Sequence, residues 1–211
     1  MLIVDTCGAE GGVGLADGLR LLAERVLPGR ETQERLMVAL GEVLAEAGRD
    51  VADVDVLAVV TGPGSFTGVR IGLAAVKGLA EAIGKPVVAL SRLQVLAAQR
   101  SGNVEAWLDA GRGDVFVGRY AEDGTGVEQM LHGVDAVAAA SGRVVVVEEK
   151  LLELMPSAEL VEAVGVREAL PLAVAKSERG AFADVALLDA NYLRVPDAEL
   201  ALRARMAAAS Q

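Results

Sequence analysis

The chain has 211 residues, enough for one large domain or two small ones, and its 53% hydrophobic, 3% aromatic composition requires an aliphatic, alanine-rich core. A net charge of −10 and the lack of any lysine–arginine cluster disfavour a direct grip on a polyanion. Apolar runs stop short of a membrane span, the single Cys7 has no internal disulfide partner, and nothing basic precedes Leu2; no membrane segment or signal peptide is expected, and the cytoplasm is the expected location.

Leu2-Ile3-Val4 reads as a short buried strand leading to Asp5-Thr6-Cys7-Gly8. Gly12 to Ala16 and Leu19 to Val26 read as strands joined by an Asp17-Gly18 hairpin turn. Glu31 to Ala47 is an amphipathic helix with Leu36, Ala39, Leu40, Val43 and Leu44 inward. Val54 to Val60 is the next strand, and it runs into Gly62-Pro63-Gly64-Ser65-Phe66-Thr67-Gly68. A helix from Gly68 to Ile83 follows, with Thr67 placed as its N-cap and Val69, Leu73, Val76, Ala80 and Ile83 on one apolar face. The N–H groups of Gly68, Val69 and Arg70 then read as an anion cradle; the competing reading is a tight strand-to-helix turn that needs glycine for its backbone angles. No Gly-Lys-Ser/Thr closes it, so it is not a Walker A loop. Pro86 to Leu90 is a strand, and Ser91 caps a short helix through Gln99.

At Gly102-Asn103 the pattern restarts. Val104 to Leu108 leads to Asp109 as Leu2 to Val4 leads to Asp5, and Val117-Gly118 follows as Val13-Gly14 does, all at an offset of 104 residues. Asp123-Gly124 closes a second hairpin. Strands at Val127–Leu131, Val144–Val147 and Ala158–Val161 alternate with helical stretches at Val134–Ala140, Glu148–Met155 and Arg167–Ser177. Two copies of a βββαβα order resemble the actin-like (ASKHA) fold, an α/β protein of two lobes each built on a mixed sheet. The lobes are expected at residues 1–101 and 102–196, with a closing helix at 197–209 packing back on the first. In actin-like ATPases the first hairpin of each lobe wraps nucleotide phosphates and its acidic residue organises magnesium. Asp5 and Asp109 occupy those places; Asp5-Thr6-Cys7-Gly8 is a thin version of the glycine- and threonine-rich turn and Asp109-Ala110-Gly111-Arg112-Gly113 a better one into which Arg112 intrudes, which leaves a vestigial nucleotide site or two self-capping aspartates.

Other chemistry lacks residues. His132 stands alone at a strand end with no second histidine, which removes a metallopeptidase reading and any expected metal site. Cys7 in an apolar setting reads as an inert small hydrophobe, and Ser65 lacks the glycine spacing of a nucleophile elbow.

The run GPGSFTGVRIGLAAVKGLA, with Asp5-Thr6, Leu108-Asp109-Ala110 and Asn191-Tyr192-Leu193-Arg194, resembles the TsaB (YeaZ) family, partner subunits in making threonylcarbamoyladenosine in tRNA. The resemblance implies a non-catalytic subunit that binds and activates TsaD, works with TsaE, pairs with itself when alone and meets tRNA only through the complex. It implies no cofactor held by this chain alone, with ATP entering at the level of the complex. The helix after the glycine turn would supply the partner face through Phe66, Thr67, Val69, Arg70, Ile71, Leu73, Ala74, Val76 and Lys77; the alternative is a wholly internal helix. The sequence departs from the family at Thr32 to Val38, where a His-Leu-Leu-Pro run is absent. The runner-up function is an autonomous actin-like ATP-dependent kinase or ATPase.

Overall fold

A computed structural model describes residues 1–29 and 31–194. The closing helix expected at 197–209 lies outside the described residues. The first half runs β1 (Leu2–Asp5), β2 (Glu10–Asp17), β3 (Arg20–Pro28), α1 (Thr32–Glu46), a 3₁₀ turn (Val51–Asp53), β4 (Leu57–Val60), α2 (Phe66–Ile83), β5 (Val87–Leu90) and α3 (Arg92–Ala97). The second half repeats that order as β6 (Val104–Gly111), β7 (Asp114–Tyr120), β8 (Gly126–His132), α4 (Gly133–Ala139), β9 (Arg143–Val146), α5 (Lys150–Leu154), β10 (Glu159–Leu160) and α6 (Val166–Glu178). Each half is therefore βββαβαβα, one strand and one helix longer than the expected unit.

Two five-stranded mixed sheets result, ordered β3-β2-β1-β4-β5 and β10-β9-β6-β7-β8. In the first, β1 pairs antiparallel with β2 and parallel with β4, and β4 is parallel to β5. The inner strands are uninterrupted apolar runs because helices cover the sheet, the pattern of strands buried on both faces. The third helix of each half crosses the boundary between the sheets. α3 packs on β6, β7 and β9, whereas α6 packs on β1, β2 and β5. One core thus runs from Leu2, Val59 and Val76 through Leu93 and Leu96 to Ala106, Leu108 and Val145. Trp107, alternating with Ala106 and Leu108 along β6, faces a smaller cluster with Val115, Val117 and Val144.

The element order repeats, but the matched identities do not. Val4 faces Val13 across β1–β2, whereas Leu108 faces Phe116 and Trp107 faces Val117 across β6–β7. With Asp5 matched to Asp109, the counterpart of Val13 is Phe116. The expected equivalence of Val117-Gly118 with Val13-Gly14 is one residue out of register, a slip that swaps sheet faces.

The contact that orients the first lobe lies between the end of β1 and the start of α2. A Cβ on Gly64 would sit 2.2 Å from the carbonyl oxygen of Cys7, and one on Gly68 2.0 Å from that of Thr6. A Cβ on Gly72 would fall 2.3 Å from Thr6 Oγ1. Through that opening Thr6 Oγ1 donates to the Gly68 carbonyl at 2.6 Å, and Ser65 N–H donates to the Cys7 carbonyl at 2.9 Å. Gly78, six residues beyond Gly72 in the same helix, meets nothing within 4 Å. Gly68→Ala is accordingly expected to destabilise the fold by roughly 1–3 kcal/mol or more, whereas Gly78→Ala should stabilise it by about 0.5–1 kcal/mol. Thermal melting of the two variants checks this, and shifts of the same sign would contradict it.

Candidate functional site

The glycine turn is closed upon the protein's own backbone. Ser65, not the expected Thr67, is the N-cap of α2: its hydroxyl accepts from Gly68 N–H at 3.2 Å, and Val69 N–H donates to the Ser65 carbonyl at 2.9 Å. Ser65 wins because α2 begins two residues earlier than its apolar pattern does. The N–H groups of Gly68 and Val69 are therefore spent, and Arg70 lies within the helix, so the expected anion cradle from these three residues does not form. The tight-turn reading is the one that fits, with Gly62 at φ +106°.

The two lobes leave a cleft of about 510 Å³ between the glycine turn, the end of β6 and the segment following α6. Ser65, Phe66, Arg92, Asp109, Phe116 and Tyr192 are among its walls. Of the two aspartates expected to share a nucleotide site, only Asp109 reaches this cleft; its Oδ2 is held by Lys150 Nζ at 2.6 Å. Asp5 is fully buried behind the turn. Its Oδ1 accepts from Cys7 N–H at 2.8 Å, and its Oδ2 has no hydrogen-bond partner among the described residues. Burial pushes the Asp5 carboxyl above the usual carboxylate range, against the opposing pull of the Cys7 N–H and Arg92. Burial, with Asp5 adding to it, also pushes the Cys7 thiol well above its ordinary value, and the thiol donates to the Val60 carbonyl. His132 lies beside Gly113 in the second lobe. No group of three or more His, Cys, Asp and Glu side chains suited to a metal occurs among the described residues. No described helix is long and apolar enough to cross a membrane.

The nine residues expected to form a partner face divide three ways. Val69, Leu73 and Val76 are 3%, 5% and 0% exposed, in the core of their own lobe, and are removed from any docking face. They occupy the side of α2 that the Gly68 and Gly72 contacts press onto β1 and β4. Phe66, Arg70 and Lys77 are engaged by the chain from Ala183 to Arg194. Phe66 and Tyr192 stack, Arg70 Nε donates to Tyr192 Oη at 2.7 Å, and Lys77 Nζ donates to the Leu188 carbonyl at 2.9 Å. Thr67 and Ala74 are exposed and Ile71 is half-buried.

That strap ties the lobes together. Ala183 N–H donates to the Val87 carbonyl and Asn191 N–H to that of Thr61, both in the first lobe. In the second lobe Asn191 Nδ2 donates to Glu128, which also accepts from Tyr120 Oη, and Arg194 Nη2 reaches the Ala110 carbonyl at 2.8 Å and Asp114 at 3.2 Å. Sequence reasoning noted Asn191 to Arg194 without a structural role, since a strap of backbone hydrogen bonds has no periodicity. It placed α1, packed beside α2, but gave no role to its outer face, where Met37 and Val38 are 58% and 53% exposed. The available signal was two large apolar residues outside the inward set of that helix.

A family model described as TsaD, tRNA N6-adenosine threonylcarbamoyltransferase, matches residues 26–150. The tRNA threonylcarbamoyladenosine biosynthesis protein TsaB of Escherichia coli is 31% identical over 150 residues, 69% of this chain and 64% of that protein. The Bacillus subtilis protein of the same name is 32% identical over 135 residues, 62% of this chain and 59% of its own length. The matched stretch thus spans less than two thirds of these curated relatives. Among solved structures, YeaZ from Pseudomonas aeruginosa has a TM-score of 0.77 at 28% identity, covering 91% of this chain and 98% of that one. A second crystal structure, of an uncharacterized P. aeruginosa protein with similarity to peptidase YEAZ, has a TM-score of 0.78 at 30% identity, over 92% and 98% of the two chains. With the family model matching more than half of the chain and the YeaZ structures sharing its two-sheet α/β fold, the chain belongs to the TsaB (YeaZ) family.

Proposed function

We propose that this chain is a non-catalytic subunit that binds and activates TsaD in the threonylcarbamoyl transfer that makes threonylcarbamoyladenosine in tRNA. The observation that carries the reading is the filled first-lobe hairpin. Where an actin-like ATPase keeps an acidic residue open to magnesium, the start of α2 is seated against the Thr6 and Cys7 carbonyls and Asp5 is walled off. A protein so built holds no cofactor of its own; ATP enters with the complex, in which TsaE takes part. A net charge of −10 leaves the tRNA to be held by the other subunits, and the setting is the cytoplasm.

The partner face that fits is the outer side of α1 and α2. Met37, Val38, Ile71 and Ala74 lie on it, and Gly41 and Gly78 have open space above them, which allows helices of a second molecule to approach closely. The TsaD family model matches this chain itself, so the partner is a related fold and can offer a matching pair of helices. The same face would serve a homodimer when TsaD is absent. The runner-up, an actin-like ATP-dependent kinase or ATPase, draws on the inter-lobe cleft that Asp109 lines.

Co-purification with the TsaD of the same organism, with sizing of the complex, tests the reading. Met37→Asp and Ile71→Asp should melt like wild type yet weaken the complex by roughly 2 kcal/mol or more. Leu73→Asp and Val76→Asp should instead unfold the chain. A wild-type chain that forms no complex, or surface variants that bind normally, would contradict it.

Asp5 tests whether the first-lobe hairpin is walled off. Its raised carboxyl contributes stability that is fully present below the unfolded value of about 3.8 and is lost as the pH rises through the folded value. Asp5→Asn does not titrate, so the melting temperature of the variant relative to wild type should rise between pH 4 and pH 7. Its TsaD-dependent transfer activity should be unchanged. Loss of that activity with the fold intact would contradict a hairpin walled off from function.

A further inference from the structure

One exposed cluster stands where the wall of the cleft, formed in part by Phe66 and Tyr192, meets the outer surface at Arg70. The guanidinium carbon of Arg70 lies 3.7 Å from the centre of the Phe66 ring and 5.7 Å from that of Tyr192, and the two rings are 5.1 Å apart. Arg70 Nε donates to Tyr192 Oη at 2.7 Å. Stacking fixes the plane of the guanidinium and the Nε bond fixes its rotation about that plane, while its two terminal nitrogens have no hydrogen-bond or ion-pair partner among the described residues. All three side chains remain accessible, Phe66 at 48% and Tyr192 at 40%.

Thirty acidic residues outnumber twenty basic ones, and the surface arginines Arg25, Arg35, Arg143 and Arg167 each face a carboxylate. Arg70 has none, and it sits in the first turns of α2, where the helix carries partial positive charge and no acidic residue offsets it. Orienting a free arginine costs up to about 2 kcal/mol of rotamer entropy; here the fold has met that cost before a partner arrives. The planar fork matches a carboxylate bidentately. Two aromatic rings and an arginine form the composition in which binding energy concentrates at protein interfaces.

We infer that the Phe66–Arg70–Tyr192 cluster is the anchor for an acidic side chain of a protein partner, its carboxylate on the two terminal nitrogens of Arg70 and its aliphatic stem against the rings. This rests on the partner-subunit reading above and names the chemistry that the partner must present. The high net negative charge disfavours RNA as the occupant. A free small anion on an exposed arginine is screened by solvent and lacks the surrounding contact area that makes such a pair count.

The test measures affinity for the TsaD of the same organism by calorimetry, with melting of each free variant and tRNA gel shifts in parallel. Arg70→Ala should bind about thirtyfold more weakly or worse, with a melting temperature close to that of wild type because the side chain is exposed. Arg70→Lys, which keeps the charge and loses the fork and the stack, should recover only part of that loss. Tyr192→Phe keeps the ring and removes the Nε acceptor, and should cost a smaller factor. Wild-type binding with Arg70→Ala within threefold of it would overturn the assignment alone; a wild-type chain that binds no TsaD overturns the functional reading and this assignment together. Binding of tRNA by the isolated chain that Arg70→Ala abolishes would overturn it in favour of a base-stacking site.

Discussion

Everything in the first lobe depends on how closely α2 can approach the end of β1. Gly64, Gly68 and Gly72 fall one turn apart, and a Cβ at any of them would overlap the Thr6–Cys7 segment at 2.0–2.3 Å. Their absence lets Thr6 Oγ1 reach the Gly68 carbonyl and lets Ser65 N–H reach that of Cys7, two buried bonds of about 1 kcal/mol each. The larger consequence is geometric. With the helix seated at that distance, Val69, Leu73 and Val76 are buried in the core, and Phe66 stands in the wall of the inter-lobe cleft.

The same contact sets the chemistry of the hairpin. A buried carboxylate with one N–H donor and an unpaired second oxygen is costly, and the raised titration of Asp5 expresses that cost. An acidic residue poised to organise a magnesium ion would be open to the cleft, as Asp109 is. Asp109 in turn is neutralised by Lys150. Neither half therefore presents an open, unpaired carboxylate to the cleft.

The fold was legible because its signals are local. Apolar runs at Leu2, Leu57 and Val87, turn residues at Asp17-Gly18 and Asp123-Gly124, and the restart at Gly102 mark the strands and the repeat. The site was less so. An apolar stripe on α2 says that one face is buried but not by what, so Val69, Leu73 and Val76 read equally as core or interface. The helix start was misplaced by two residues because Phe66 and Thr67 precede the periodic positions while still adopting helical backbone. Close backbone approach explains the glycines better than an anion does, yet both demand the same residue. The apparent identity of Val117 with Val13 shows the limit of offset matching, since a bulge near Asp109 to Gly111 shifts the pairing by one.

One element carries this local arrangement outward. The strap from Ala183 to Arg194 fixes one lobe against the other through Thr61 and Asn191 on one side and Glu128 and Asp114 on the other. It also holds Arg70 and Lys77 against α2, so the surface offered to a partner is formed by segments more than a hundred residues apart. The most direct test of the central claim, that the first-lobe hairpin is filled by the protein itself, is amide hydrogen exchange with and without millimolar magnesium–ATP. The account predicts slow exchange at Cys7, Ser65 and Gly68 in both conditions, with no change on adding nucleotide. Fast exchange at those amides, or protection of the Cys7 to Gly12 hairpin on adding magnesium–ATP, would contradict it.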